Sequence, residues 1–304
     1  MLQAFLGLLK PCYLFAPATL ARRLALKYNW PASDKAEVDL PWGMRIGVDL
    51  RDAIGSEIFK QRIFDLGVSE CAWRLLQPGD HVIDAGANLG YMTMLFAART
   101  GATGLVHSFE PHPEVGAALR SNVARAGQAG NAARVEIQSC ALGASPGSGK
   151  LVESDYFAIN QGTASIGRVA EDRDQTGRSH TVIVESLDDL FPAEQFALLK
   201  IDVEGFELEV LDGAEKLLRS RRVKHVIYED HAFEESGLAA KLSSHGYTNF
   251  AIGHGAFGPR LLEGSAAKRA IDVAWESASF LATLDPVGAQ QAMKGKGWRV
   301  LRGR

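Results

Sequence analysis

Cysteine is scarce in this chain, with Cys12, Cys71 and Cys140 the only three among 304 residues. An odd count, wide spacing and the lack of any Cys-x-x-Cys pair exclude a disulfide framework and a cysteine-rich zinc site, and point to a reducing, cytoplasmic setting. A surplus of one charge is missing as well. The 33 basic and 36 acidic residues leave a formal net charge of -3, so no global field directs the chain to nucleic acid or an anionic membrane. Long apolar runs are also lacking. The N-terminal stretch MLQAFLGLLKPCYLFAPATLARRLAL is interrupted by Lys10, Pro11 and Pro17 and has no basic leader, which argues against a signal peptide or a spanning helix. It is expected to pack as an amphipathic segment on the body or in a homodimer, with peripheral membrane contact as the other option.

What is present is an ordinary globular composition, 46% hydrophobic and 23% charged. Beyond residue 80, runs rich in Val, Ile, Leu and Phe alternate with helical patterns. The runs are 81–85, 105–109 and 135–139, then 196–201, 223–228, 247–252 and 279–284. Such alternation predicts an α/β, doubly wound parallel sheet wrapped by helices. Residues 79–285 are expected to form the catalytic domain, broken by an insertion at 144–185 that reads as a hairpin or flap. Residues 1–78 read as an N-terminal extension carrying an amphipathic helix and a hairpin around Trp42 to Leu50. Residues 286–304, ending in KGKGWRVLRGR, read as a basic tail that frays.

The first run leads into VIDAGANLGYMTMLFA, which places Asp84, Gly86, Asn88 and Gly90 at a strand-to-helix bend. In open parallel sheets, ligands bind beyond the carboxyl ends of the strands. The spacing is not that of a G-x-G-x-x-G dinucleotide loop, and Asp84 would repel a pyrophosphate while suiting an ammonium group. Glu110, directly after the second run, can accept hydrogen bonds from both hydroxyls of a ribose. Ser139, Cys140 and Ala141, after the third, are placed to flank a base. A nucleoside carrying an amino acid fits all three, and S-adenosylmethionine is such a molecule. For Asp84 and Glu110 the bland alternatives are a helix cap and a solvated acid.

The segments GDHVIDAGANLGYMTML, HSFEPHPE, CALG, SLDDL, LLKIDVEGFELEVLDGAEKLL and VIYED, in this order, resemble the FkbM family of S-adenosylmethionine-dependent methyltransferases. The resemblance implies a class I methyltransferase (Rossmann-like) fold with seven strands, the last antiparallel. It further implies O-methylation of a hydroxyl on a sugar, glycan or secondary metabolite, and it adds Glu70 to the expected cofactor contacts.

An alcohol is a poor nucleophile near neutral pH and needs a positioned base or a metal. Lys200, Asp202 and Glu204 alternate at the end of the fourth strand, so continued extension would turn all three to one face. Asp202 is expected beside the donor's amino-acid end, and Glu204 is the candidate base against the simpler view that it favours a helix dipole. Glu229 and His231 stand in reserve, with Lys200 pairing one of the acids. His112 reads as a cofactor-edge or surface residue. No metal is assigned, although Asp202, Glu204 and Glu229 could offer oxygen ligands. Two other function classes stay open. A nicotinamide-dependent oxidoreductase lacks its phosphate loop, and a non-catalytic binding module would be marked by donor binding without methyl transfer. Amino-group methylation is disfavoured, because Ile201-Asp202-Val203-Glu204 replaces the Asn/Asp-Pro-Pro-aromatic element.

Overall fold

Val82 and Ile83, adjacent on one strand, point to opposite sides of a sheet, and each is fully buried. The same alternation repeats in Leu198 and Leu199, in Val226 and Ile227, and in Leu281 and Ala282. Both faces of the sheet are therefore covered, as runs rich in Val, Ile, Leu and Phe predict. The computed structural model describes residues 15–126, 130–157, 159–167, 178–230, 237–255, 257–263 and 279–303. His231, the acidic run at 171–174 and the first fourteen residues lie outside them.

The chain opens with α1 (Pro17–Leu26), β1 (Lys35–Asp39), β2 (Arg45–Asp49), α2 (Ala53–Gln61) and α3 (Leu66–Leu75). The parallel units follow as β3 (His81–Ala85), α4 (Tyr91–Thr100), β4 (Leu105–Phe109), α5 (Pro113–Ala126) and β5 (Arg134–Gln138). Just before the insertion stands β6 (Ala141–Leu142), which the insertion extends with β7 (Gly147–Val152), β8 (Ser165–Gly167) and β9 (Ser179–Glu185), and a short α6 (Leu187–Leu190) follows it. Next come β10 (Phe196–Ile201), α7 (Glu207–Asp212), α8 (Glu215–Arg219), β11 (Val223–Glu229) and α9 (Leu238–Ser244). The last elements are β12 (Thr248–Gly255), β13 (Gly258–Leu262), β14 (Ser279–Thr283) and α10 (Pro286–Met293).

The central sheet runs in the order β13-β12-β14-β11-β10-β3-β4-β5. Strands β5, β4, β3, β10 and β11 are parallel, and β14 enters antiparallel between β11 and β12. The sheet thus has eight strands rather than the expected seven. The extra one, β13, pairs antiparallel with β12 at the edge, in a stretch whose Gly258-Pro259 start reads as a link. The insertion folds as a separate four-stranded sheet in the order β6-β9-β7-β8.

The N-terminal elements share a core with the sheet. Ile46 and Val48 of the β1–β2 hairpin lie in one apolar cluster with Leu95 and Phe96 of α4 and with Val82, Leu198, Ile227 and Leu281 of the sheet. Asp52 and Asp65 start α2 and α3 by accepting from the N–H groups of Gly55 and Val68. The opposite face carries Leu187, Val210, Leu217 and Leu238 over Ile83, Leu199 and Val226. The tail does not fray: Asp285 caps α10, and beyond that helix Trp298 and Val300 are fully buried. Among the described residues no helix is long and apolar enough to cross a membrane.

Candidate active site

Strand order reverses between β3 and β10, so their carboxyl ends open a crevice at Ala85 and Ile201. A cleft of about 460 Å³ lies there, within the usual size for a small-molecule site. It is lined by the Gly86–Leu89 turn, Glu110, His112, Cys140, Ala141, Lys200, Asp202, Glu204 and Glu229.

Local sterics shape the turn. Gly86 has φ +75°, and a Cβ there would collide with the Asp202 carbonyl oxygen, so β3 and β10 end in contact only because this position is glycine. Glu110 ties the next strand end to the same turn. Its two carboxylate oxygens accept from the backbone N–H groups of Asn88 and His112, each at 2.9 Å. A carboxylate has about four lone-pair sites, so two remain for a ligand's hydroxyls. Burial pushes the Glu110 carboxyl up to about 7, against the opposing pull of those two N–H bonds.

Behind the turn, Asp84 is fully buried, accepts from the Thr93 hydroxyl at 2.6 Å and lies 3.8 Å from the Lys200 ammonium. Its other oxygen has no hydrogen-bond partner, and burial raises its pKa. Lys200 donates to Asp202 at 3.0 Å and to the Gly86 carbonyl at 3.3 Å. Burial works against its charge, but Asp202 and Asp84 outweigh it and push the ammonium up to about 12.

Extension does not persist to Glu204. β10 ends at Ile201, Glu204 takes a left-handed φ of +53° and Gly205 follows at +87°. The Glu207 carboxylate holds this turn by accepting from Val203 and Gly205 N–H. Lys200, Asp202 and Glu204 therefore converge through a strained turn rather than through strand alternation. Glu204 presents surface to the cleft, yet its recessed position, then Asp202 and Glu207, push its carboxyl up to about 7.

The flap closes one side. Asn160, Gln161 and Gly162 line the cleft beside Ala53 and Ile54 of α2. Asp52 joins the two parts, because one oxygen caps α2 and the other accepts from Gln161 N–H at 2.9 Å. At the far edge, Glu153 accepts from the Nε2 atoms of His112 and His180 at 3.3 and 2.9 Å, and Phe157 stacks on His112. These three side chains lie close enough together to suggest a metal site. However, His112 Nδ1 accepts from the first-turn N–H groups of Glu114 and Val115, so its Nε2 carries the proton and donates. The cluster is a hydrogen-bonded latch from flap to cleft.

Residues 84–250 match the family described as the methyltransferase FkbM domain. The chain belongs to the FkbM methyltransferases. It is 33% identical over 200 residues to 31-O-demethyl-FK506 methyltransferase FkbM of Streptomyces tacrolimicus, covering 57% of this chain and 74% of that one. It is 28% identical over 235 residues to hexuronic acid methyltransferase AglP of Haloferax volcanii, covering 74% and 89%. A crystal structure of methyltransferase FkbM from Methylobacillus flagellatus aligns with TM-score 0.43 and 15% identity over 77% of this chain and 62% of that one. S-adenosylmethionine is the methyl donor that the family implies.

Four of the residues expected to contact the cofactor of this FkbM methyltransferase do not line the cleft. Glu70 is completely buried on α3, where it pairs with Arg74 and accepts from the N–H groups of Arg299 and Val300, so its carboxylate serves a structural clamp. Ser139 is absent from the cleft wall, and its hydroxyl accepts from Arg120 at 2.9 Å. Gly90, also off the wall, precedes α4, where a Cβ would lie 2.7 Å from Leu119. Asp84 stands behind the wall and meets Lys200, not the open space. The flap residues 160–162 and Ala53, Ile54, Phe64, Tyr91 and Met92 enter the lining without any motif to announce them. Asp52, a residue type that favours helix starts, could have marked the beginning of α2, but nothing in the sequence marks its second bond to the flap.

Proposed function

We propose that this methyltransferase transfers a methyl group from S-adenosylmethionine to a hydroxyl of a sugar or secondary metabolite. The observation that carries the reading is Glu204, a carboxyl that lines the cleft together with Asp202, Lys200 and Glu110 and is pushed up to about 7. The donor supplies an electrophilic methyl group on a sulfonium. The free lone pairs of Glu110 would accept hydrogen bonds from the ribose hydroxyls, and Cys140 and Ala141 would flank the base. Asp202, paired with Lys200 at 3.0 Å, would sit at the amino-acid end. Glu204 would take the hydroxyl proton as the methyl group leaves sulfur for oxygen, with a neutral thioether left behind, and Glu229 shares the same wall. The names of two relatives, a 31-O-demethyl-FK506 methyltransferase and a hexuronic acid methyltransferase, favour oxygen-bearing acceptors.

Calorimetric titration with S-adenosylmethionine, with NAD as the parallel ligand, tests the donor half. Saturable binding of the methyl donor alone, lost in Glu110→Ala, is the expected result. Binding of neither ligand, or indifference to Glu110, sinks the assignment.

A further inference from the structure

α1 carries apolar residues on the side turned away from the body as well as on the side that packs. Thr19, Arg22 and Leu26 face inward. Thr19 is buried, Leu26 packs against the apolar core, and Arg22 donates to the Phe59 carbonyl at 3.0 Å while lying 4.7 Å over its ring. Pro17, Ala18, Ala21, Leu24 and Ala25 share the outward side at the spacing of a helical stripe, and all five are exposed. The turn after the helix continues this surface: Leu24 is 56% exposed, Tyr28 81% and Trp30 46%. Trp30 is fixed to the body by an edge contact with Phe59, ring centroids 5.6 Å apart.

The same stretch of sequence has charge of one sign. Residues 1–33 contain no Asp or Glu, while Lys10, Arg22, Arg23 and Lys27 are basic, in a chain whose formal net charge is -3. Arg23 and Lys27, one helical turn apart, are exposed beside the stripe. The acids that follow are met by other arginines: Asp34 by Arg51, Glu37 by Arg45 and Arg125, and Asp39 by Arg45. An apolar stripe with Tyr and Trp at one end and cations alongside suits a helix that lies in the headgroup layer of an anionic bilayer. A second copy of the chain is a poorer occupant, because a two-fold contact would bring the same cations together and α1 has no acid to meet them.

We propose that α1 and the turn after it form a docking surface for an anionic lipid bilayer, with Leu24, Tyr28 and Trp30 entering the headgroup layer and Lys27 and Arg23 set against its phosphates. The helix is ten residues long and lies along the surface rather than across it. α1 rests on α2, whose first residues Ala53 and Ile54 line the cleft, so docking holds the cleft one short helix from the bilayer. Docking at α1 does not depend on which reaction the cleft performs.

Flotation of the full 304-residue chain with lipid vesicles tests this. Vesicles of phosphatidylcholine with about one-third phosphatidylglycerol should bind the protein at least about tenfold more tightly than pure phosphatidylcholine, and about 0.5 M salt should remove most of the difference. Leu24→Ser/Tyr28→Ser should weaken binding to the anionic vesicles at least about tenfold, and Lys27→Gln about fivefold. Both variants alter exposed side chains, and thermal midpoints equal to that of the unaltered protein show that they are folded. Should the double variant melt early, Lys27→Gln carries the comparison. No binding to anionic vesicles, equal binding to the two vesicle types, or binding indifferent to both variants overturns the proposal. Sedimentation velocity without vesicles examines the other occupant. A dimer that the double variant splits, together with no vesicle binding, assigns the stripe to a second copy and overturns the proposal as well.

Discussion

Glu110 sits under two backbone N–H donors and still titrates near 7, because its burial outweighs them. Ribose hydroxyls donate to the ionised form, so donor binding must draw the carboxyl below that value and release its proton. Donor affinity is therefore expected to rise with pH through about 7 and level off above, with proton release readable as buffer-dependent heat in calorimetry. Glu110→Gln should abolish the release; an unchanged proton count would show that the ribose binds elsewhere. Glu204 titrates near the same pH with a different consequence. As a base it works only when ionised, so kcat/KM should climb about tenfold per pH unit below 7 and reach a plateau above it. Glu204→Gln should cost about 10²–10⁴-fold in kcat with donor affinity nearly unchanged, whereas full turnover would remove it as the base. Glu110 was legible from its position after a strand. The strained φ of Glu204 was not, because the Gly205 that follows it marks a turn without saying which residue bends first.

Between elements, Asp52 is the join. Its two oxygens start α2 and hold the flap at Gln161, so Asp52→Ala loses a cap and a tether together. A cap alone is worth about 1 kcal/mol, and the tether is read separately. Limited proteolysis should cut within 154–163 at least several-fold faster in Asp52→Ala, and acceptor KM should rise more than donor Kd. Unchanged cutting would mean that the latch at Glu153 holds the flap by itself. The strands of the sheet were readable because buried parallel strands are continuous apolar runs, and Ile83 to Ala85 or Leu198 to Ile201 admit little else. The flap's pairing was not readable: β7 contains Gly147, Ser148 and Gly149, and its register with β9 depends on contacts across residues 153–178. β13 was missed for the same reason, since a glycine and a proline at the start of an edge strand look like punctuation.

For the molecule as a whole, the clamp around Glu70 and Arg74 decides how the two ends of the chain belong together. Arg74 donates to the carbonyls of Ala292, Gly295 and Gly297, while Glu70 accepts from Arg299 and Val300. Every one of these partners is backbone, so no residue type in the tail announces them, and a basic ending with one tryptophan reads as loose chain. Removing one member of a buried pair typically costs about 3–5 kcal/mol, and Trp298→Ala should cost a similar amount. Glu70→Ala and Trp298→Ala are expected to lower the urea midpoint while leaving donor affinity of the folded fraction intact. A loss of donor affinity without loss of stability would return Glu70 to the cofactor site. Glu70 and Arg299 are 229 positions apart. At roughly 5–20 residues per second of synthesis, about 10–50 s pass between their appearances. Throughout that interval the nascent α3 carries an ion pair whose backbone partners do not yet exist, so the clamp can close only after residues 292–300 have been made.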